Sequence, residues 1–248
     1  MNNITVITPY IDNEDIKKLQ SYIPTTIKFL TEEDTGRIGS DLMYEKLWTE
    51  CSPDDIIIMH TDMLPKDTDW IDQISNYVKK YPEAGMFGCK LLYPNTEGLP
   101  NKVIQSAGGK FDNNIPNHYG SGLELYSKTA WKDLDFDRGQ YDKVREVAWS
   151  TFGGIYIRRK VLNEVGNFDR NFKWSYNRDV DYCLSTRKLG WKIYQIPVTI
   201  YHFESKDNKI MRQQNPEYNN FEQENFKYLY NKWAGSEFYK TIEIEIND

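Results

Sequence analysis

Short apolar runs alternate along the first third of the chain with stretches in which apolar residues recur every three or four positions. Ile4-Thr5-Val6-Ile7 predicts a strand, and Glu14 to Tyr22 a short helix stopped by Pro24. A second strand is expected over Thr26 to Leu30, and a helix from Gly39 to Thr49 with Leu42, Leu47 and Trp48 among its apolar positions. Asp55-Ile56-Ile57-Ile58-Met59 follows the turn signal Ser52-Pro53-Asp54, and a continuous apolar run of this length fits a strand buried on both faces. From Asp67 to Lys80, Trp70, Ile71, Ile74, Tyr77 and Val78 keep the spacing of one helix face. Gly85 to Cys89 is the next strand. Strands alternating with helices in this way imply a mostly parallel α/β sheet flanked by helices.

The pattern loosens from Tyr93 to Lys143, where Gly, Asn, Asp and Pro predict loops and small strands. Beyond it, Glu146 to Arg158 is expected as one strand interrupted at Gly153-Gly154, and Lys160 to Val165 as a short helix closed by Gly166. Asp179 to Leu189 predicts a helix ended by Gly190, Lys192 to Phe203 an extended segment, and Tyr218 to Trp233 an amphipathic helix closing over the domain.

Composition narrows the class. A chain of 248 residues suits one large domain, or one domain with a small extension. The 18 Tyr and 7 Trp are numerous enough for ring faces that stack on sugars, although most are expected to fill the core. A net charge of −6 and a pI near 5.3, with no basic patch, argue against nucleic acid and against a basic membrane-surface helix. Cys51, Cys89 and Cys183 are scattered and form no CxxC pair, which argues against a disulfide framework or a Cys-rich zinc site. No signal pattern opens the chain and no apolar run approaches the roughly 20 residues of a membrane span, so no integral membrane segment and a cytoplasmic location are expected.

Three segments carry candidate chemistry. The buried strand runs into His60-Thr61-Asp62, and ligands of open α/β sheets bind beyond the carboxyl ends of strands. Asp62 there can hold a metal or a ribose, or simply open the turn before Pro65, with Asp67 or Thr68 capping the next helix. Asp179 and Asp181 lie two residues apart in a predicted helix; at about 100° per residue they diverge, so only one faces a given site. Capping the helix is the plainer role for Asp179. His202, one of three histidines with His60 and His118, ends a predicted strand, where a packed or hydrogen-bonded ring is the plainer role; an imidazole with a carboxylate and diphosphate oxygens nevertheless suits Mn²⁺ or Mg²⁺. The chain has no GxxxxGK[ST], GxGxxG, GxSxG or HExxH pattern.

The run from Phe152-Gly153-Gly154-Ile155-Tyr156 through Val165-Gly166-Asn167-Phe168-Asp169 resembles glycosyltransferase family 2, in particular its rhamnosyltransferase-like branch. The likeness continues through Asp179-Val180-Asp181-Tyr182-Cys183-Leu184, Gly190-Trp191-Lys192-Ile193, Pro197 and Tyr201-His202. Upstream, Lys90-Leu91-Leu92-Tyr93-Pro94, Ile104 to Gly109 and Asp55 to Trp70 also fit. The resemblance implies a GT-A fold, Rossmann-like, spanning 1–205, with a nucleotide-sugar-binding half (1–92), an acceptor-binding half (93–205) and a C-terminal helical extension (206–248) on the same domain. It implies a hexosyltransferase-like enzyme that uses Mn²⁺ or Mg²⁺. The sugar would pass from a UDP-, GDP- or dTDP-linked donor to a hydroxyl of a glycan or glycolipid acceptor, with inversion by single displacement. Asp62 and His202 match the metal ligands, and Asp179 the general base, with Asp181 as second choice. Thr8, Pro9, Tyr10, Asp34, Arg37, His60 and Thr61 fall on the donor side; a solvated loop is the plainer role for Asp34 and Arg37. Trp149, Gly153, Gly154 and Arg178 fall on the acceptor side.

Two positions depart from the family pattern. His60-Thr61 stands where acidic residues or Asn usually precede the metal-site Asp, and Arg178 stands where Glu usually precedes the base. An Arg close to Asp179 would lower its pKa. These departures motivate an alternative, a non-catalytic glycan-binding module on a decayed transferase fold. A nucleotidyltransferase is less favoured, because Thr8-Pro9-Tyr10-Ile11-Asp12 is not the Gly-rich, basic signature such enzymes carry near the first strand.

Overall fold

Residues 3–11, 13–35, 39–94, 102–120, 135–173, 176–203 and 218–246 are described in a computed structural model of the chain. Five strands run parallel: β1 (Ile4–Tyr10), β2 (Lys28–Glu33), β3 (Asp55–Ile58), β5 (Ala84–Leu92) and β11 (Lys192–His202). Between β3 and β5 lies β10 (Ile155–Ile157), antiparallel to both neighbours. At one edge β11 pairs with β9 (Arg145–Val147), and β9 with β12 (Glu243–Glu245). Two short strands join the flanks: β4 (Met63–Pro65) beside β11, and β6 (Ile104–Ser106) beside β5. The ten-stranded sheet has the order β12-β9-β11-β5-β10-β3-β1-β2, and β7 (Gly109–Asp112) with β8 (Ile115–His118) makes a separate hairpin.

Side chains alternate across the strands and sort the core into two layers. Ile56, Ile58, Ile155 and Ile157 face one side, where α2 (Ser40–Glu50), α4 (Arg159–Val165), α5 (Arg178–Lys188) and α6 (Tyr218–Trp233) supply Trp48, Val161, Leu184 and Leu229. Val6, Ile57 and Tyr156 face the other, against Leu19 of α1 (Asn13–Gln20) and Trp70, Ile74 and Val78 of α3 (Trp70–Lys80). The expected α/β architecture is thus present, and both faces of β3 are buried.

Several local expectations change. Glu146 to Arg158 is not one interrupted strand. Its two ends lie in different parts of the sheet, β9 at the edge and β10 in the centre, because residues 148–154 cross between them. Gly154 makes the entry to β10 possible: it sits at φ 68°, donates its N–H to Ile58 O and accepts from Cys89 N. The strand predicted to end at Leu30 continues to Glu33, taking in part of the expected loop, since its backbone pairs with Thr8, Pro9 and Tyr10. Asp69, not Asp67 or Thr68, stands at the N-cap of α3, and Asn177, not Asp179, at that of α5. The tail includes a strand as well as a helix; residues 204–217, which take in the start of the expected extension, lie outside the described residues, as do 95–101 and 121–134 of the middle segment.

Candidate active site

The parallel strands bring their carboxyl ends to one edge of the sheet, which therefore collects Thr8 to Tyr10, His60 to Asp62 and His202. The entry to β10 meets the same edge because that strand runs the opposite way. Pairing of β4 with β11 then fixes the details. His202 lies opposite Met63, and Phe203 N donates to Asp62 O at 2.9 Å, so Asp62 and His202 are held side by side by backbone register. His60 enters through a turn in which Met63 N donates to His60 O.

The result is a cluster of His60, Asp62 and His202, each half-buried, whose potential ligand atoms all lie within 4.8 Å of one another. His202 Nε2 is 3.4 Å from Asp62 Oδ1, and the two imidazole rings meet edge to face with centroids 5.6 Å apart. Burial pushes the Asp62 carboxyl up, but the hydrogen bond and charge of His202, aided by His60, outweigh it and hold the group at about 2. Burial and then His202 push the His60 imidazole down to about 4, against the opposite pull of Asp62. Near neutral pH the cluster therefore offers a carboxylate and an uncharged His60 imidazole, the forms that bind metal ions. On the far side of His202, Nδ1 lies 2.7 Å from Oε1 of Gln105, a residue with 0% exposure. This contact orients the ring and turns Nε2 toward Asp62.

His60, expected on the donor side, stands in the cluster, and Gln105 is a site residue that no sequence motif marks. Room for the cluster comes from Gly153, where a Cβ would stand 2.1 Å from Met63 Cε and 3.2 Å from His60 Cε1.

Asp179 sits in the first turn of α5, half-buried, its Oδ1 accepting from Val180 N at 2.9 Å. Burial, with Asp41 of α2 adding to it, pushes its carboxyl up to about 7 against the pull of the Val180 N–H. Arg178, which would lower this pKa if it came close, does not turn to Asp179. It turns to Asp41, with Nη1 2.5 Å from Oδ2, and donates through Nη2 to Phe172 O. Arg178 thus ties α5 to α2 and is not presented to an acceptor. Asp181 points elsewhere: at 5% exposure it accepts from Trp233 Nε1 at 2.7 Å and from Lys232, both on α6. Residues 148–154 bridge Asp179 and the cluster, since Ser150 exchanges contacts with Cys183 one turn beyond Asp179 while Gly153 packs beside His60.

The remaining candidates divide. Thr8 is buried at the end of β1, and its Oγ1 has no hydrogen-bond partner among the described residues. Pro9, Tyr10 and Thr61 are partly exposed on the same edge, and Asp34 is buried, its Oδ2 accepting from Gly39 N, so it is not in a solvated loop. Arg37 lies outside the described residues. Trp149 has 3% exposure, covers Gly109 and donates to Lys110 O, leaving no ring face for a sugar.

Residues 11–223 match the family described as "Glycosyltransferase like family 2". The chain belongs to that family. A curated relative of this glycosyltransferase-like chain, O-antigen biosynthesis protein RfbC of Myxococcus xanthus, is 24% identical over 155 residues. That alignment takes in 62% of this chain but only 11% of the relative's length. Among solved structures, GalNAc-T7 with UDP, GalNAc and Mn²⁺ aligns with a TM-score of 0.54 at 10% identity, over 82% of this chain and 44% of its own. S. aureus TarS aligns at 0.51 and 12%, over 95% of this chain and 44% of its own. The family 2 chain therefore has the GT-A glycosyltransferase fold. Among the described residues no helix is long and apolar enough to cross a membrane.

Proposed function

We propose that the chain transfers a sugar from a nucleotide-diphospho-sugar to a hydroxyl of a glycan or glycolipid acceptor, inverting the anomeric centre in one displacement. The observation that carries this reading is the joint arrangement at one sheet edge: a His/Asp cluster suited to a divalent ion, and a half-buried carboxylate across residues 148–154 from it. The donor set of imidazole and carboxylate fits a divalent ion bridging to diphosphate oxygens. Asp62 and His202 would hold it, and the bound ion would supply electrostatic stabilisation of the departing diphosphate. Thr8 Oγ1, buried and unpaired among the described residues, supports a donor pocket at the end of β1, lined also by Pro9 and Tyr10.

Asp179 is the base in this reading. Its role is to accept the proton of the attacking hydroxyl, and a carboxyl raised to about 7 is matched to that task near neutral pH. Asp181 is committed to Lys232 and Trp233, which favours Asp179 as the group that meets the acceptor. Motif order from Phe152 to Asp169 supports placement on the rhamnosyltransferase-like branch, and the domain reads as donor half 1–92, acceptor half 93–205 and extension 206–248.

A thermal-shift screen of UDP-, GDP- and dTDP-sugars with and without Mn²⁺ tests the proposal. One nucleotide sugar should raise Tm only with the metal present, and incubation with an acceptor should release the nucleotide diphosphate. Stabilisation by glycans alone, with no response to any nucleotide, would favour a glycan-binding module instead.

A further inference from the structure

We infer that His60 is a third ligand of the metal site and makes it selective for first-row transition ions over Mg²⁺. This rests on the reading of Asp62 and His202 as metal ligands, and extends it with a residue that the sequence pattern placed on the donor side.

The geometry points to it. Ligand atoms held about 2.0–2.2 Å from one ion stand about 3–3.5 Å from each other. Asp62 Oδ1 and His202 Nε2 already stand at 3.4 Å. A nitrogen of His60 completes a triangle no side of which exceeds 4.8 Å. Neighbouring groups keep His60 in place. Its ring stacks at 6.4 Å on Tyr44 of α2, and Gly153 leaves the space that a Cβ would take from Met63 and from His60 Cε1. His202 is oriented by Gln105, so its Nε2 faces the triangle. Two imidazoles and one carboxylate are a nitrogen-rich set. Mg²⁺ takes oxygen ligands and sheds its waters reluctantly, whereas imidazole suits Mn²⁺, Co²⁺ and Zn²⁺ progressively better.

Mn²⁺ binding followed by the loss of the free-ion EPR signal, with Mg²⁺ as competitor, tests this without any transfer assay. The wild-type chain should bind one Mn²⁺, and half-displacement should need more than about tenfold excess of Mg²⁺. His60→Asp, which restores an oxygen ligand, should still bind Mn²⁺ but lower that excess at least about tenfold, and His60→Ala should weaken Mn²⁺ by about 10–100-fold. Mg²⁺ displacing Mn²⁺ from the wild-type chain at equal concentration, or an excess ratio unmoved by His60→Asp, would overturn the inference. The wild-type competition needs no variant to fold. Sugar transfer that persists while the ratio is unmoved would leave the proposed function standing. A selective site in a chain that transfers no sugar would leave the metal inference standing and remove the function.

Discussion

Two neighbouring carboxylates on α5 have opposite fates. Asp179 is half-buried with its charge opposed by desolvation and by Asp41, while Asp181 is satisfied by Lys232 and Trp233. The raised pKa of Asp179 has a definite sign. Folded at about 7 and unfolded at 3.8, the group contributes stability that is fully present below pH 3.8 and is lost as pH rises through 7. Asp179→Asn, which keeps the shape of the protonated form, should therefore stabilise the chain by ~1–3 kcal/mol at pH 8 and by little at pH 4, as read by urea melts at both pH values. If Asp179 is the base, transfer by the wild-type chain should fall on the acid side with a midpoint near 7. Gln105 gives a second residue-scale test. Gln105→Leu removes the partner that orients the His202 ring and should weaken Mn²⁺ binding by about 10–100-fold in calorimetry, while Gln105→Glu, which keeps an oxygen there, should keep most of it.

The periodicity that marks β1, β3 and α3 reports burial along a single element, so the parallel core was legible from residue pattern alone, and the strand-end rule put Asp62 at its carboxyl edge. What the pattern missed is set between elements. Gln105 meets His202 across 97 positions of sequence, and Asp62 stands beside His202 because β4 pairs with β11 in one register. The bracing role of α6 was also invisible from its own amphipathic face. Asn225, with 1% exposure, accepts from Lys173 N and donates to Lys173 O and Tyr176 O, gripping the segment that leads into Asp179. Lys232 and Trp233 complete the attachment through Asp181. Asp181→Ala leaves a buried indole N–H without its acceptor and should cost about 2–3 kcal/mol in denaturant unfolding. Transfer per folded molecule should stay near the wild-type level in Asp181→Ala, unlike in Asp179→Asn, which separates a carboxylate that braces the fold from the proposed base.

At the scale of the whole molecule, a mixed sheet with helices on both faces presents one chemically distinct edge, where the ends of β1, β3 and β11 meet residues 148–154. That edge is where the family resemblance and the strand-end rule agree, and where His60 and Arg178 depart from the pattern. The structure gives the departures separate outcomes: His60 moves into the cluster, and Arg178 moves away from Asp179 to Asp41. A donor bound across this edge with its metal at 100 times Kd should raise Tm by roughly 5–10 °C. The most direct measurement compares transfer from the stabilising nucleotide sugar by the wild-type chain and by Asp179→Asn, in Mn²⁺, with binding of metal and donor followed in parallel. Asp179→Asn should keep intact binding while transfer falls by about 10²–10⁴-fold. Transfer at the wild-type rate in that variant would contradict Asp179 as the base.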